Sequence, residues 1–186
     1  MFNEDYFKNR VRSFYEEVDI AFRTIGCEAL GSQDIFFRLS RMATPSIEYS
    51  EVKRICRDID APPLGINEPS GHRRWPLAWG RASNRYKEIA EQAEEAHHLR
   101  TAGINFLRAS LLAHSGQMFS RPEWPEKIEL QKQRTECYRR AAPYLGIEFH
   151  QIPFDDHLLP AYLWIPKGVE NPPLVVMVPG ANSVKE

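Results

Sequence analysis

Through the first part of the chain, apolar positions recur at steps of three and four. Between Glu4 and Ile25 they fall at Phe7, Val11, Phe14, Tyr15, Val18 and Phe22, which is one stripe of a helix. Gly26 is placed to stop it. A second helix is expected over about Ser32 to Met42, with Ser32 as N-cap and Ile35, Phe36 and Leu39 inward. A third, short helix follows Ser46. The run "APPLGINEPSGHRRWP", Ala61 to Pro76, carries four prolines and two glycines and predicts a long loop. Helical spacing resumes over about Leu77 to His98, breaks near Thr101-Ala102-Gly103, continues through "INFLRASLLAHSGQMF", and returns over Pro125 to Tyr144.

After Gly146 the period changes to two. "IEFHQIPF" and "LLPAYLWIP", joined by the turn residues "DDH", predict an antiparallel hairpin. "KGVENPP" is a loop, and "LVVMV", Leu174 to Val178, predicts a third strand. That strand is apolar without alternation, the pattern of a strand covered on both faces. It lacks the charge or alternation of an edge. Such a strand needs neighbours on both sides, so the sheet is expected to continue past residue 186. The chain therefore reads as the N-terminal portion of a larger protein. The alternative is a complete chain whose short sheet packs on its helices.

Composition narrows the function classes. A hydrophobic content of 42% and an aromatic content of 11% suit a soluble globular protein. A net charge of −1 offers no electrostatic case for nucleic acid or an acidic membrane surface. No run approaches the ~18 apolar residues of a membrane span, and the charged N-terminus lacks the apolar core of a signal peptide. The three cysteines, Cys27, Cys56 and Cys137, are far apart and odd in number. They predict free thiols and a reducing, cytoplasmic setting.

The order of hairpin, Pro-rich loop and apolar strand ending "VPGANSVKE" resembles the start of an α/β-hydrolase core. "RRWPLAWGR", "LRASLLAHSGQMF" and "CYRRAAPYL" narrow the likeness. Together with the Ser-x-Lys-Glu after the turn, they are similar to the helical-domain hydrolases typified by 2,6-dihydroxypseudooxynicotine hydrolase and by fungal polyketide-shortening pigment hydrolases. The likeness covers about residues 70 to 186; residues 1 to 70 match only in being helical. It implies an all-helical N-terminal cap domain over residues 1–145. Residues 146–186 would then be the first three strands of an α/β-hydrolase core, within a chain that is mostly α. It also implies cleavage of a C–C bond next to a ketone, or of an ester, by a Ser-Asp-His triad without metal or cofactor, on a small-molecule substrate, in a homodimer.

In that fold the turn after the third strand carries an oxyanion-hole amide. Gly180 would allow the sharp turn, and the backbone amide of Ala181 would be the donor. No G-x-S-x-G elbow occurs in the 186 residues. The triad is therefore expected after residue 186, and these residues alone are expected to be inactive.

Ser110, His114 and Gln117 share one face of an otherwise apolar helix. They could line a substrate cavity between cap and core. Equally, they could face solvent, or hold a core histidine satisfied by a carbonyl. Trp75 and Trp79 could form a wall for a flat substrate ring, or anchor the core. His97-His98 lack metal-ligand spacing. "EIAEQAEEAHH" is expected to be a solvated helix face. A non-catalytic, tetratricopeptide-like interaction module remains the alternative function, although no clean repeat is present.

Overall fold

The computed structural model describes residues 4–27, 46–62 and 69–178. Helix α1 spans Glu4–Thr24 and α2 spans Tyr49–Asp60. A 3₁₀ turn, Gly71–Arg74, runs directly into α3, Trp75–Glu95. Then come α4, Leu99–Met118, and α5, Pro125–Tyr144. Strands β1, Ile147–Phe154, and β2, His157–Trp164, complete the set. The helix expected over Ser32 to Met42 lies outside the described residues.

The first helix starts with Glu4 and Asp5 and ends near Arg23, charges that oppose the helix dipole at each end. Tyr15 and Phe22 are buried, with Val18 and Ala21 packed on the same core. Phe14 is exposed instead: adjacent helical positions point about 100° apart, and Tyr15 takes the inward one. Gly26 does close the segment, at φ +76, with the Asp60 carboxylate 3.1 Å from where a Cβ would sit. Asp60 accepts from the Cys27 backbone N–H at 2.6 Å, tying the end of α1 to the end of α2. In α2, Val52, Ile55, Cys56 and Ile59 form a single buried stripe.

The centre of the molecule is α3, α4 and α5, joined by short connections and packed side by side. Trp75 Nε1–H donates to the Ser115 carbonyl at 3.1 Å and Ser83 Oγ–H to the Ala109 carbonyl at 2.7 Å, so α3 and α4 run antiparallel. Two glycines set the spacing. A Cβ on Gly116 would lie 2.9 Å from both Leu130 and Trp79, and one on Gly103 would lie 2.6 Å from the Tyr144 Cβ.

That packing corrects the expected break at Thr101-Ala102-Gly103, which is continuous helix. Gly103 is there to admit Tyr144, a contact that outweighs a helix cost of about 1 kcal/mol. The real break is Ala96–His98. His97 adopts φ +58, His97 N–H donates to Glu94 O at 3.0 Å, and His98 N–H donates to Ala93 O at 2.8 Å. This is a Schellman cap with histidine where glycine is usual. The expected Ala61–Pro76 loop is also too long, since its last residues form the 3₁₀ turn and the first turn of α3. Pro76 fits there because an N–H is not needed in the first helical turn.

Half of the run expected to be a solvated face is in fact a seam with α5. Arg140 lies over the Phe106 ring at 4.0 Å and donates to Glu91 at 2.7 Å and Glu94 at 2.6 Å. Tyr144 Oη–H donates to the other Glu94 oxygen at 2.6 Å. The Tyr144 hydroxyl first, and Arg140 second, hold the Glu94 carboxyl below the usual carboxylate range.

The hairpin closes through Asp155-Asp156 in the register Phe154↔His157 to Ile147↔Trp164. Counting outward from that two-residue turn, Pro153 and Pro160 fall at positions whose N–H would point away from the partner strand. Each therefore blunts an outer edge without breaking the ladder. The hairpin roots on α5: Tyr138 meets Tyr162 at 4.6 Å, and Arg139 covers Phe149 at 4.8 Å. The third strand expected at Leu174–Val178 does not pair; among the described residues the sheet has two strands. Those five residues are 76–89% exposed, apolar on both faces with nothing over either.

Replacing His97 by glycine should remove the left-handed strain and stabilise by about 1 kcal/mol, a rise of roughly 2–4 °C in melting temperature. An unchanged or lower melting temperature would contradict the cap assignment. Because Glu94 titrates low in the fold, its contribution is complete above the ordinary carboxyl range and is lost as pH falls through the folded value. Tyr144→Phe should therefore lower the urea midpoint at pH 7, with the difference shrinking as the pH is taken below about 4.

Candidate functional site

Helix α4 brings the sequence-predicted polar residues to one region, but it commits some of them elsewhere. Ser110 is buried and its Oγ–H donates to the Arg134 carbonyl of α5 at 2.9 Å. His114 is half-buried. Gln117 is 9% exposed, and its Nε2 has no hydrogen-bond partner. Trp75 and Trp79 are fully buried, ring centroids 5.2 Å apart, with Phe22 and Phe119 against Trp75. Trp75 spends its N–H on Ser115, whereas the Trp79 Nε1 is buried without a partner. Gly180 and Ala181 lie outside the described residues.

A second cluster had no signal in the sequence. His72, in the 3₁₀ turn, is 2% exposed. Its Nδ1 lies 2.6 Å from Asp19 Oδ1 of α1 and its Nε2 2.5 Å from the Phe119 carbonyl oxygen, so both ring nitrogens are engaged by the protein. The second Asp19 oxygen is taken by Arg121. Aromatic rings enclose the imidazole: Phe22 at 5.2 Å, Trp124 at 4.9 Å and Tyr15 at 6.3 Å. Tyr15 donates to the Ser120 carbonyl at 3.1 Å. Burial, then Glu123, pushes its phenol up, so it stays a neutral donor.

Beside this cluster is a cavity of about 420 Å³, lined by Asp19, Arg23, Ser70, His72, Arg73, Arg121, Glu123 and Trp124. No spacing rule connects residues 19, 72 and 121. The fold alone makes them neighbours.

Cys27, Cys56 and Cys137 are buried and form no disulfide among the described residues, and burial pushes the Cys137 thiol up to about 12. A thiol so raised is inert. Among the described residues no three His, Cys, Asp or Glu side chains cluster as metal ligands would, and no helix is long and apolar enough to cross a membrane.

Comparison with known proteins returns the likeness read from the residues. The chain is 27% identical over 156 residues to 2,6-dihydropseudooxynicotine hydrolase of Paenarthrobacter nicotinovorans, covering 83% of this chain and 39% of that protein. It is 32% identical over 120 residues to hydrolyase poxO of Penicillium oxalicum, covering 60% and 28%. It is 27% identical over 138 residues to hydrolase phmG of Phaeosphaeria nodorum, covering 63% and 31%. The crystal structure of 2,6-dihydroxy-pseudo-oxynicotine hydrolase, an α/β-hydrolase, superposes with a TM-score of 0.53 at 26% identity over 66% of this chain and 32% of that one. No protein-family model matches. The chain spans less than two-fifths of the length of these relatives.

Asp19 ties the 3₁₀ turn, through His72, and the segment beyond α4, through Arg121, to α1. Asp19→Asn should destabilise by about 1–3 kcal/mol, since it weakens two charge-assisted hydrogen bonds at once. Combined with Arg121→Gln it should cost less than the sum of the two single changes. Urea midpoints that simply add would show that the three groups do not act as a unit.

Proposed function

We propose that this chain is the N-terminal part of a serine α/β-hydrolase, its helices forming a cap and its hairpin opening the core sheet. The reaction is cleavage of a C–C bond next to a ketone, or of an ester, in a small molecule. The observation that carries this reading is the uncovered apolar segment Leu174–Val178, together with Ile152, Phe154, Leu158 and Leu159 of the hairpin, all exposed. Apolar surface of that extent calls for a covering partner, and neighbouring strands and helices of a core sheet would cover both faces. The named relatives being hydrolases supports the same reading. A stand-alone helical interaction module would leave this surface in water.

In this reading Ser attack on the substrate carbonyl creates an oxyanion, and the amide of Ala181, at the turn opened by Gly180, is one of its donors. The triad serine, aspartate and histidine follow residue 186. The cap supplies the substrate wall. With Ser110 committed to the Arg134 carbonyl, contact with substrate falls to His114 and Gln117 on α4. Trp79 and Trp75 form the aromatic backing. Unpartnered N–H groups on Trp79 and Gln117 suit a wall that meets a carbonyl-bearing ligand. The free, buried cysteines suit a cytoplasmic setting.

Sequencing the reading frame beyond Glu186 should reveal a helix, a strand and a G-x-S-x-G elbow; a stop codon directly after Glu186 sinks the proposal. With the full frame expressed, Ala181→Pro removes the amide N–H. It should lower kcat for p-nitrophenyl acetate by roughly 10²–10³, while Ala181→Gly should keep most of it.

A further inference from the structure

We propose that the cavity between α1, the 3₁₀ turn and the Arg121–Trp124 segment binds a small oxyanion, a carboxylate or a phosphate, through Arg23, Arg73 and Arg121. The inference does not depend on the hydrolase reading. A volume of about 420 Å³ falls within the range of small-molecule sites. Its lining places three guanidinium groups beside the carboxylates of Asp19 and Glu123. Both carboxylates already pair with Arg121. Asp19 has one oxygen on His72 and the other on Arg121. Glu123 is mostly exposed and only 3.8 Å from Arg121.

Arg23 and Arg73 have donors to spare. Arg23 has no carboxylate partner among the described residues. Its stem lies against Gly71, the Cγ 4.0 Å from where a Cβ would be, and the residue lines the cavity. Arg73 gives Nη2 to Glu126 at 2.6 Å, and its Nη1 has no partner. Its guanidinium carbon lies over the Trp124 ring, 4.7 Å from the centroid, which restrains the fork before any ligand arrives. Prepositioned guanidinium forks match the planar carboxylate and the phosphate face better than any other side chain. An anion seated here would meet the uncompensated charge of Arg23 and the spare donor of Arg73 on a partly enclosed, polar wall.

The test is titration of the protein with sodium benzoate and, separately, sodium phosphate at constant ionic strength. The readout is the Trp124 indole N–H resonance, identified by its disappearance in Trp124→Phe. A saturable shift with benzoate alone assigns the site to organic carboxylates, and one with phosphate alone assigns it to phosphate. Saturation by both assigns it to the oxyanion group itself. Arg23→Ala, on an exposed residue, should leave the circular dichroism spectrum unchanged and weaken binding about tenfold or more. Arg100→Ala, on the exposed start of α4, should leave affinity unchanged. The proposal is overturned if neither anion gives a saturable shift, if Arg23→Ala leaves affinity intact, or if Arg100→Ala weakens it as much as Arg23→Ala does.

Discussion

Helix α4 lies against α3 on one side and α5 on the other at distances that leave no room for a Cβ at two points. At Gly116 the space is filled by Trp79 and Leu130, and at Gly103 by Tyr144. Once three helices approach that closely, backbone carbonyls come within reach of neighbouring side chains. Trp75, Ser83 and Ser110 each then donate across a helix interface to a main-chain oxygen. Buried donors spent this way satisfy the core without solvent. They are also withdrawn from chemistry, so what remains of the α4 polar face for any ligand is set by packing.

The same constraint positions the second cluster. The end of α4 presents the Phe119 carbonyl to His72, whose other nitrogen reaches Asp19 on α1. Across the described residues the main packing partner of α1 is the 3₁₀ turn, so the enclosed imidazole with its two acceptors joins the first helix to the bundle alongside the Tyr15 hydroxyl on the Ser120 carbonyl. Arg121 completes that junction, and the cavity beside it is the gap left where helix, turn and loop converge. A buried, hydrogen-bonded polar group of this kind specifies one arrangement, because any other leaves donors unmet.

Much of the secondary structure was legible. The short helix after Ser46, the span of α5 and the presence of the hairpin follow from period and turn residues, whereas the turn read as Asp155–His157 is one residue shorter because His157 pairs with Phe154. So does the likeness to helical-domain hydrolases. The misreadings have local causes. Gly103 resembles a helix breaker because its tertiary reason, the Tyr144 ring, is forty residues away. His97 conceals a helix end because the Schellman position usually announces itself with glycine. Glu91 and Glu94 resemble a solvated face until Arg140, on another helix, claims them. Of the candidate site, the residue types on α4 could be named in advance, but their hydrogen-bond partners could not.

The sequence by itself determined the helical and strand periods, the uncharged apolar run at Leu174–Val178 and the absence of a G-x-S-x-G elbow within these residues. Each of these is a property of neighbours along the chain. Only the tertiary structure decided that Ser110 is spent on a carbonyl and that Trp79 and Gln117 keep unpartnered N–H groups. It alone brought residues 19, 72 and 121 together beside a cavity. Those outcomes depend on distances between segments far apart in sequence, which close packing sets and no local pattern encodes.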